Sequence, residues 1–202
     1  MSLHKKLSQL NIEALREVLL ATEKLISYQK NTEPHIWNHE DNGCLGYPAA
    51  ILLFAYIESV GCILLDDSGE KSFIVLRHPV FGNQPISESG CKSVYKIYRN
   101  RLMHNLGLPK NARLFSDHNN LNAFDVANAG KKKQEVVTAI NLYALLYICK
   151  SSFEKLKEKH EAHLDSSRIM SFISNDDLEN NINTQFSSTV TPSGICSPDI
   201  FS

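Results

Sequence analysis

The feature that most constrains this chain is the run from Ala49 to Leu65, almost wholly apolar, with Glu58 as its sole charge. A membrane-spanning helix needs about 20 predominantly apolar residues. This run is shorter, carries Gly61 as well as Glu58, and has no counterpart elsewhere in the chain. It reads as a buried helix rather than a span, and no membrane association is expected. Being apolar on nearly every side, it must be covered on more than one face, by other helices or by a second subunit. Glu58 is then a carboxylate in a segment built to exclude water, which is costly without a partner. Two readings stand. Either Glu58 reaches the rim or meets a Tyr or Lys, or it pairs with Arg99 or Arg101 and orients that guanidinium.

The segments around this run read mostly as further helices. Residues 7–30 carry Leu7, Leu10, Ile12, Leu15, Val18, Leu19, Leu25 and Ile26 among charges, the pattern of an amphipathic helix. Residues 31–46 break it with Pro34, Asn38, Asp41, Asn42 and Gly43. His35 and His39 stand four apart there, but Pro34, Trp37 and the lack of a nearby third ligand make them a loop pair rather than a metal site. Residues 66–87 contain Gly69, Pro79, Gly82 and Pro85 around Phe73-Ile74-Val75-Leu76, which reads as a connecting loop with at most one short strand or helical turn. A further helix starts at a Ser87 or Ser89 cap, with Glu88 at its positive end, and stops at Gly107 and Pro109. Residues 111–133 are irregular and polar, with short strands expected at Ala112–Phe115 and Asn122–Val126. The last helix is expected from Gln134 to His163, with Val137, Ile140, Leu142, Leu145, Leu146, Ile148, Phe153 and Leu156 as its apolar positions. The fold class is therefore mainly α: a bundle of four to five helices with a short irregular or β-hairpin insertion before the last one.

At 202 residues the chain can bury a sizeable core in one domain. We expect that domain over residues 1–165, followed by a polar, acidic tail over 166–202 that is flexible or loosely docked. Phe172, Ile173, Ile182 and Phe186 are the tail's anchoring residues if it docks. Net charge is −1, so no blanket attraction to nucleic acid is expected, yet the tail holds Arg168 against Asp176, Asp177, Glu179 and Asp199, which leaves the body slightly basic. Lys131, Lys132 and Lys133 follow Gly130 as a basic cluster, either a solvated turn or a grip on a nucleic-acid backbone. His160 and His163 are explained as cations near a helix C-terminus. The five cysteines are odd in number and never in a C-x-x-C pair, which reads as reduced thiols. No signal peptide is apparent, because Lys5, Lys6, Glu13 and Arg16 interrupt the N-terminal apolar residues. The cytoplasm is the expected compartment. No metal or other cofactor is expected.

One helix gathers an Arg, an amide and a His: Val94-Tyr95-Lys96-Ile97-Tyr98-Arg99-Asn100-Arg101-Leu102-Met103-His104-Asn105-Leu106. On an ideal helix Cys91, Val94, Tyr95, Tyr98, Leu102 and Leu106 form the core stripe, whereas Asn100, Arg101 and His104 point away from it and Arg99 stands on its flank. At ~100° per residue, Arg99 and His104 diverge by roughly 140°, so they border a groove that a second surface must close. The plain alternative is an ordinary helix with His104 lining it and the arginines in surface ion pairs.

The Arg99-x4-His104 spacing, with Asn directly after the Arg and an aromatic-containing run before it, resembles the signature of HEPN-domain proteins. Arg113 to His118 has the same spacing but lies in a segment that reads as loop. The resemblance spans residues 7–160 in helix order and is carried by the six-residue motif. It implies a helical-bundle homodimer with a composite, metal-independent endoribonuclease site. Arg99 would bind and stabilise the scissile phosphate, Asn100 would orient it, and His104 would move the proton, with Arg101 and Glu58 as auxiliaries. Such chemistry needs a base for the 2′-hydroxyl, an acid for the leaving oxygen and positive donors at the phosphate. A His and a planar guanidinium suit those tasks, and two copies in a dimer supply both proton transfers. RNA is the implied substrate, and an antitoxin or other protein the implied partner if the chain is a toxin or defence effector. A catalytically inactive HEPN-like dimer that binds RNA, nucleotide or protein is the alternative. In the subgroup of toxins paired with nucleotidyltransferase antitoxins a Tyr stands two residues after the His; here that position is Leu106.

Overall fold

Helix α2 (Gly46–Leu65) is the centre of the computed structural model, which describes residues 3–32, 36, 43–130 and 134–164 and, among them, side chains from residue 11 to 159. Its Ala49, Ala50, Leu53, Phe54, Tyr56, Ile57, Val60 and Ile63 are all buried. By length and composition α2 is the one described helix that could cross a membrane, but half of its most apolar window is buried against the rest of the chain. Helices α1 (Leu3–Ser27) and α5 (Leu142–Leu164) pack on it and on each other. From α1, Leu15, Leu19 and Ile26 enter the core, as their helical spacing requires. The α1–α5 seam is closed by a Glu23–Lys150 ion pair of 2.6 Å and by Arg16, whose guanidinium carbon lies 5.7 Å from the Phe153 ring centre. Tyr56 reaches across from α2 to share a 2.8 Å hydrogen bond with the buried Ser152 hydroxyl.

The expected loop at 66–87 is instead a packed wall. Two 3-10 helices, Ser72–Arg77 and Pro79–Phe81, bury Phe73, Val75, Leu76, Val80 and Phe81. Tertiary packing overrides the Gly and Pro punctuation here, because the bulky apolar residues between the breakers have a core to enter. The wall can approach α2 only because residue 61 is glycine: a Cβ there would lie 2.2 Å from the Ser72 carbonyl oxygen.

The motif helix runs in three parts, α3 (Glu88–Ser93), a π-helical turn (Val94–Arg99) and α4 (Asn100–Asn105). Of the two expected caps, Ser87 and Ser89, the Ser87 hydroxyl is the one used, accepting from Gly90 N at 3.1 Å. Its end differs from expectation. The chain leaves the helix at Leu106, which takes the left-handed conformation (φ 48°) and donates its N–H to Leu102 O, so the stop lies one residue before Gly107. Leu106 is consequently 67 % exposed and does not join the core stripe; Cys91, Val94, Tyr98 and Leu102 do.

A second difference concerns residues 134–141, read as the start of the last helix. They form β3 (Gln134–Asn141), the central strand of a three-stranded sheet ordered β1-β3-β2, with β1 (Arg113–Phe115) parallel and β2 (Phe124–Ala129) antiparallel to it. Val136, Val137, Thr138 and Ile140 are β-branched and favour the pleated surface. The apolar spacing of Val137 and Ile140 fits a helix as well as a bulged strand, and the bulge is present: Asp125 pairs with Ala139 but Val126 with Val137, leaving Thr138 unmatched. β1 and β2 overlap the two expected short strands. The architecture is thus mainly helical with a small sheet. Lys131, Lys132, Lys133, His35, His39 and the tail lie outside the described residues, as do the side chains of His160 and His163.

Candidate functional site

β3 fixes where the motif helix sits. Its Glu135 carboxylate accepts from Ser87 N at 2.7 Å and from the Ser87 hydroxyl at 3.1 Å, adding a negative charge at the helix N-terminus. At the bulge, Val137 N donates to the buried Ser93 hydroxyl at 2.8 Å, and the Tyr98 hydroxyl reaches Val137 O at 3.4 Å. Burial pushes the Tyr98 phenol well above its ordinary value, so it stays a neutral donor. Glu135 carries no local signal of this role, because it acts across 48 residues.

Arg99 is held on three sides. Its Nε and Nη2 each donate to Glu58 Oε2 at 2.9 Å, and its Nη1 donates to Asn100 Oδ1 at 3.3 Å. Its guanidinium carbon lies 5.4 Å from the ring centre of Tyr95, one turn earlier, and Tyr95 is itself braced edge-on by Phe73 with centroids 5.3 Å apart. Of the two readings of Glu58, the arginine pair is the one observed, and the arginine is Arg99. Both side chains are about three-quarters buried, with 23 % and 21 % of their surface exposed. A guanidinium has five N–H donors, so two remain for another anion. Tyr95 was read only as a core residue; its i, i+4 spacing to Arg99 was the signal for its second role.

Arg101 and His104 are exposed and, among the described residues, have no hydrogen-bond or ion-pair partner. They share the outer surface of α4 with Met103, 49 % exposed, and Leu106. Arg99 and His104 therefore face different ways: one is turned toward α2, the other toward solvent. The second Arg-x4-His spacing is spread over different elements, with Arg113 on β1, 3.7 Å from Asp125, and His118 in the following loop.

A groove of about 630 Å³ runs beside the N-terminal half of this helix, lined among others by Lys92, Lys96, Glu70, Glu88 and Glu135. Lys92 is paired with Glu88 and Lys96 with Glu70, so this stretch is close to neutral and offers a phosphate backbone little. Cys44, Cys91 and Cys149 are free thiols. Burial pushes the Cys91 thiol up to about 12 and raises Cys149 as well, which removes both as nucleophiles near neutral pH.

Fold and geometry define a mainly helical protein with a clamped arginine and an exposed histidine on one helix. Comparison with protein-family models, with curated proteins and with solved structures finds no match to this chain.

Proposed function

We propose that this chain is a HEPN-like, metal-independent endoribonuclease that works as a homodimer, each copy contributing Arg99, Asn100 and His104 to a composite site. The observation that carries this reading is the state of Arg99: a guanidinium oriented by Glu58, Tyr95 and Asn100, with two N–H groups left for a phosphate, on a helix whose next turn presents an unpaired His104. Glu58 and Tyr95 act as positioning residues and Arg101 as an auxiliary cation. One imidazole takes the proton of a ribose 2′-hydroxyl, whose oxygen bonds to phosphorus. The bond to the 5′-oxygen breaks, and the protonated imidazole of the second copy gives that oxygen its proton. The guanidinium N–H groups meet the charge that builds on the phosphoryl oxygens. A single copy has one exposed His on this helix, so the cycle needs the second. Exposed Met103 and Leu106 beside the motif are apolar surface for that partner. A toxin or defence effector of this kind would be held silent by an antitoxin or other protein covering the motif face.

The test is cleavage of a mixed RNA pool in EDTA by purified wild type and His104→Ala, with oligomeric state measured on the same samples. A dimeric wild type that cuts, leaving 2′,3′-cyclic phosphate ends, beside an intact but inert His104→Ala dimer is the expected result. Equal activity in both, or none in either, overturns the nuclease reading. A second reading, a catalytically inactive HEPN-like dimer that binds RNA, nucleotide or a protein, is favoured by one observation: Arg99 already has its charge matched by Glu58.

A further inference from the structure

The surface that follows the π-helical turn carries charge that its own neighbourhood does not balance. From Asn100 to Ser116 the sequence holds Arg101, His104, Lys110 and Arg113 and no acidic residue. Lys71, Lys92, Lys96, Lys150 and Arg113 each find a carboxylate. Arg101 and Lys110 are exposed and have no ion-pair partner among the described residues. Between them stand the exposed Met103 and Leu106, so the strip is cationic and apolar at once. The same chain holds the complement. Residues 165–202, outside the described residues, set Arg168 against Asp165, Asp176, Asp177, Glu179 and Asp199, and Ile182 and Phe186 follow the acids of 176–179. Gly46 stands beside Leu142 and Tyr56 beside Ser152, so α5 runs along α2 in the same direction. Gly69 lies beside Tyr95 and Glu58 beside Arg99, so the motif helix runs the opposite way. The ends of α5 and of the motif helix are therefore separated, along the axis of α2, by no more than its length of roughly 30 Å. Residues 165–175 can span about 36 Å when extended, which puts the acids of 176–179 within range and leaves Asp165 out of it.

We propose that residues 176–186 dock on this strip of their own chain, with Asp176, Asp177 and Glu179 facing Arg101 and Lys110, and Ile182 and Phe186 covering Met103 and Leu106. The docked segment covers His104 and closes the motif face. Docking follows from charge and reach; its effect, silencing the site in cis, rests on the nuclease reading above. The carboxylates take the place of the phosphates that the same cations would meet in an RNA strand. Single exposed ion pairs are weak. The tether, however, holds the segment at an effective concentration of about 1 mM, so weak contacts suffice. The second copy of the proposed dimer uses the same Met103 and Leu106, so the docked tail and the dimer exclude each other.

The test uses the full chain. A zero-length carbodiimide joins an amine to a carboxylate only where the two touch. Applied to an equal mixture of unlabelled and heavy-isotope-labelled wild type, it should join Lys110 to Asp176, Asp177 or Glu179 of the same chain, read by mass spectrometry of the digest. Arg101→Glu sets a like charge against the tail and should cut the yield of that adduct by about 5-fold or more. Anisotropy with a fluorescent 2′-O-methyl oligoadenylate, which has no free 2′-hydroxyl to react, then compares wild type with the triple variant Asp176→Asn, Asp177→Asn, Glu179→Gln. A control, Glu17→Gln, Glu154→Gln, Glu158→Gln, removes the same charge from exposed positions on α1 and α5. A segment of about 0.2 mM affinity held at about 1 mM predicts roughly 5-fold tighter binding by the tail variant, with a smaller change in the control. The proposal is overturned by absence of the Lys110 adduct, by adducts formed only between chains, which would assign the strip to a second copy, or by an equal gain or no gain in the two triple variants. Neither readout uses cleavage. An inert wild type therefore sinks the nuclease reading and leaves the docked tail, whereas a missing adduct sinks the docked tail and leaves the nuclease reading.

Discussion

Cutting the Glu58–Arg99 pair tests whether the interior of the helical layer, rather than solvent, sets the position of the candidate catalytic arginine. Two hydrogen bonds of 2.9 Å converge on one carboxylate oxygen, and the side chains keep only 23 % and 21 % of their surface exposed. An exposed pair contributes about 0.2–1 kcal/mol. Removing one partner of a fully buried pair costs about 3–5 kcal/mol, because the survivor keeps its desolvation penalty. Partial burial, and the Asn100 oxygen still available to Arg99, place Glu58→Ala between these limits, at about 2 kcal/mol. For a chain of this size that is a melting temperature lower by about 4–8 °C. Arg99→Ala loses a similar amount, and the double variant loses less than the sum by a coupling of about 1–1.5 kcal/mol. The four proteins are compared by urea unfolding at one fixed protein concentration, since a dimer's stability depends on it. A coupling below about 0.3 kcal/mol would show that the pair is a surface accident and would remove Glu58 as the residue that orients Arg99.

Gly61→Ala drives a methyl group into the Ser72 carbonyl and must part α2 from the 3-10 wall; overpacking outweighs the gain in helix propensity, and a loss of about 2 kcal/mol in urea unfolding is expected, with an unchanged midpoint counting against the packing described. Leu106→Gly relieves a left-handed leucine and should raise stability by about 1 kcal/mol; a lower melting temperature would mean that the leucine side chain is held by something else. His78 accepts a hydrogen bond from Val80 N through Nδ1, and burial, followed by the Lys159 charge, lowers its pKa below 6.5. Between that lowered value and 6.5 the unfolded chain binds more protons, so the contribution of His78 is complete above about pH 6.5 and is lost as pH falls through its folded pKa. His78→Asn keeps an acceptor for the cap and should flatten this part of the stability–pH curve, an unaltered slope being the contrary result. With a thiol-specific disulfide reagent at pH 8, Cys91 and Cys149 should react only after denaturant is added; their labelling in the native protein would contradict the burial assigned to them.

What could be read in advance depended on whether the deciding interaction was local. The buried character of α2 follows from seventeen residues with a single charge, and a serine cap at residue 87 or 89 from its own neighbours. The pairing of Glu58 with an arginine was one of two open readings, because a lone carboxylate in an apolar helix needs a partner but does not name it. Residues 134–141 misled because Val137 and Ile140 stand three apart, which suits a helix; the strand is decided by partners on β1 and β2 that local periodicity does not contain. The same holds for Asn141. Its neighbours Ile140 and Leu142 are ordinary core residues, and only the folded chain brings four backbone groups to its amide.

The π-helical turn is the feature that changes the meaning of the motif. In an uninterrupted α-helix, Val94 and Arg99 would lie roughly 140° apart, with Arg99 on the flank of the core stripe beside Tyr95. With i to i+5 bonding each residue turns only ~80°, and the same two positions come within roughly 50° of each other. Asn100 N–H accordingly bonds to Tyr95 O, and Arg99 swings to the side of the helix that holds the fully buried Val94, where Glu58 waits on α2. From Asn100 onward the helix is α again, and His104 on its next turn is exposed. The roughly 140° between Arg99 and His104 is kept by the α-helical residues after the turn, with one side chain anchored to α2 and the other exposed. A reaction that uses both must bring its phosphate to the seam between α2 and the motif helix, where Arg99 is held. The proton transfer then has to reach that seam from the side, which is the task the proposed dimer assigns to the His104 of the second copy.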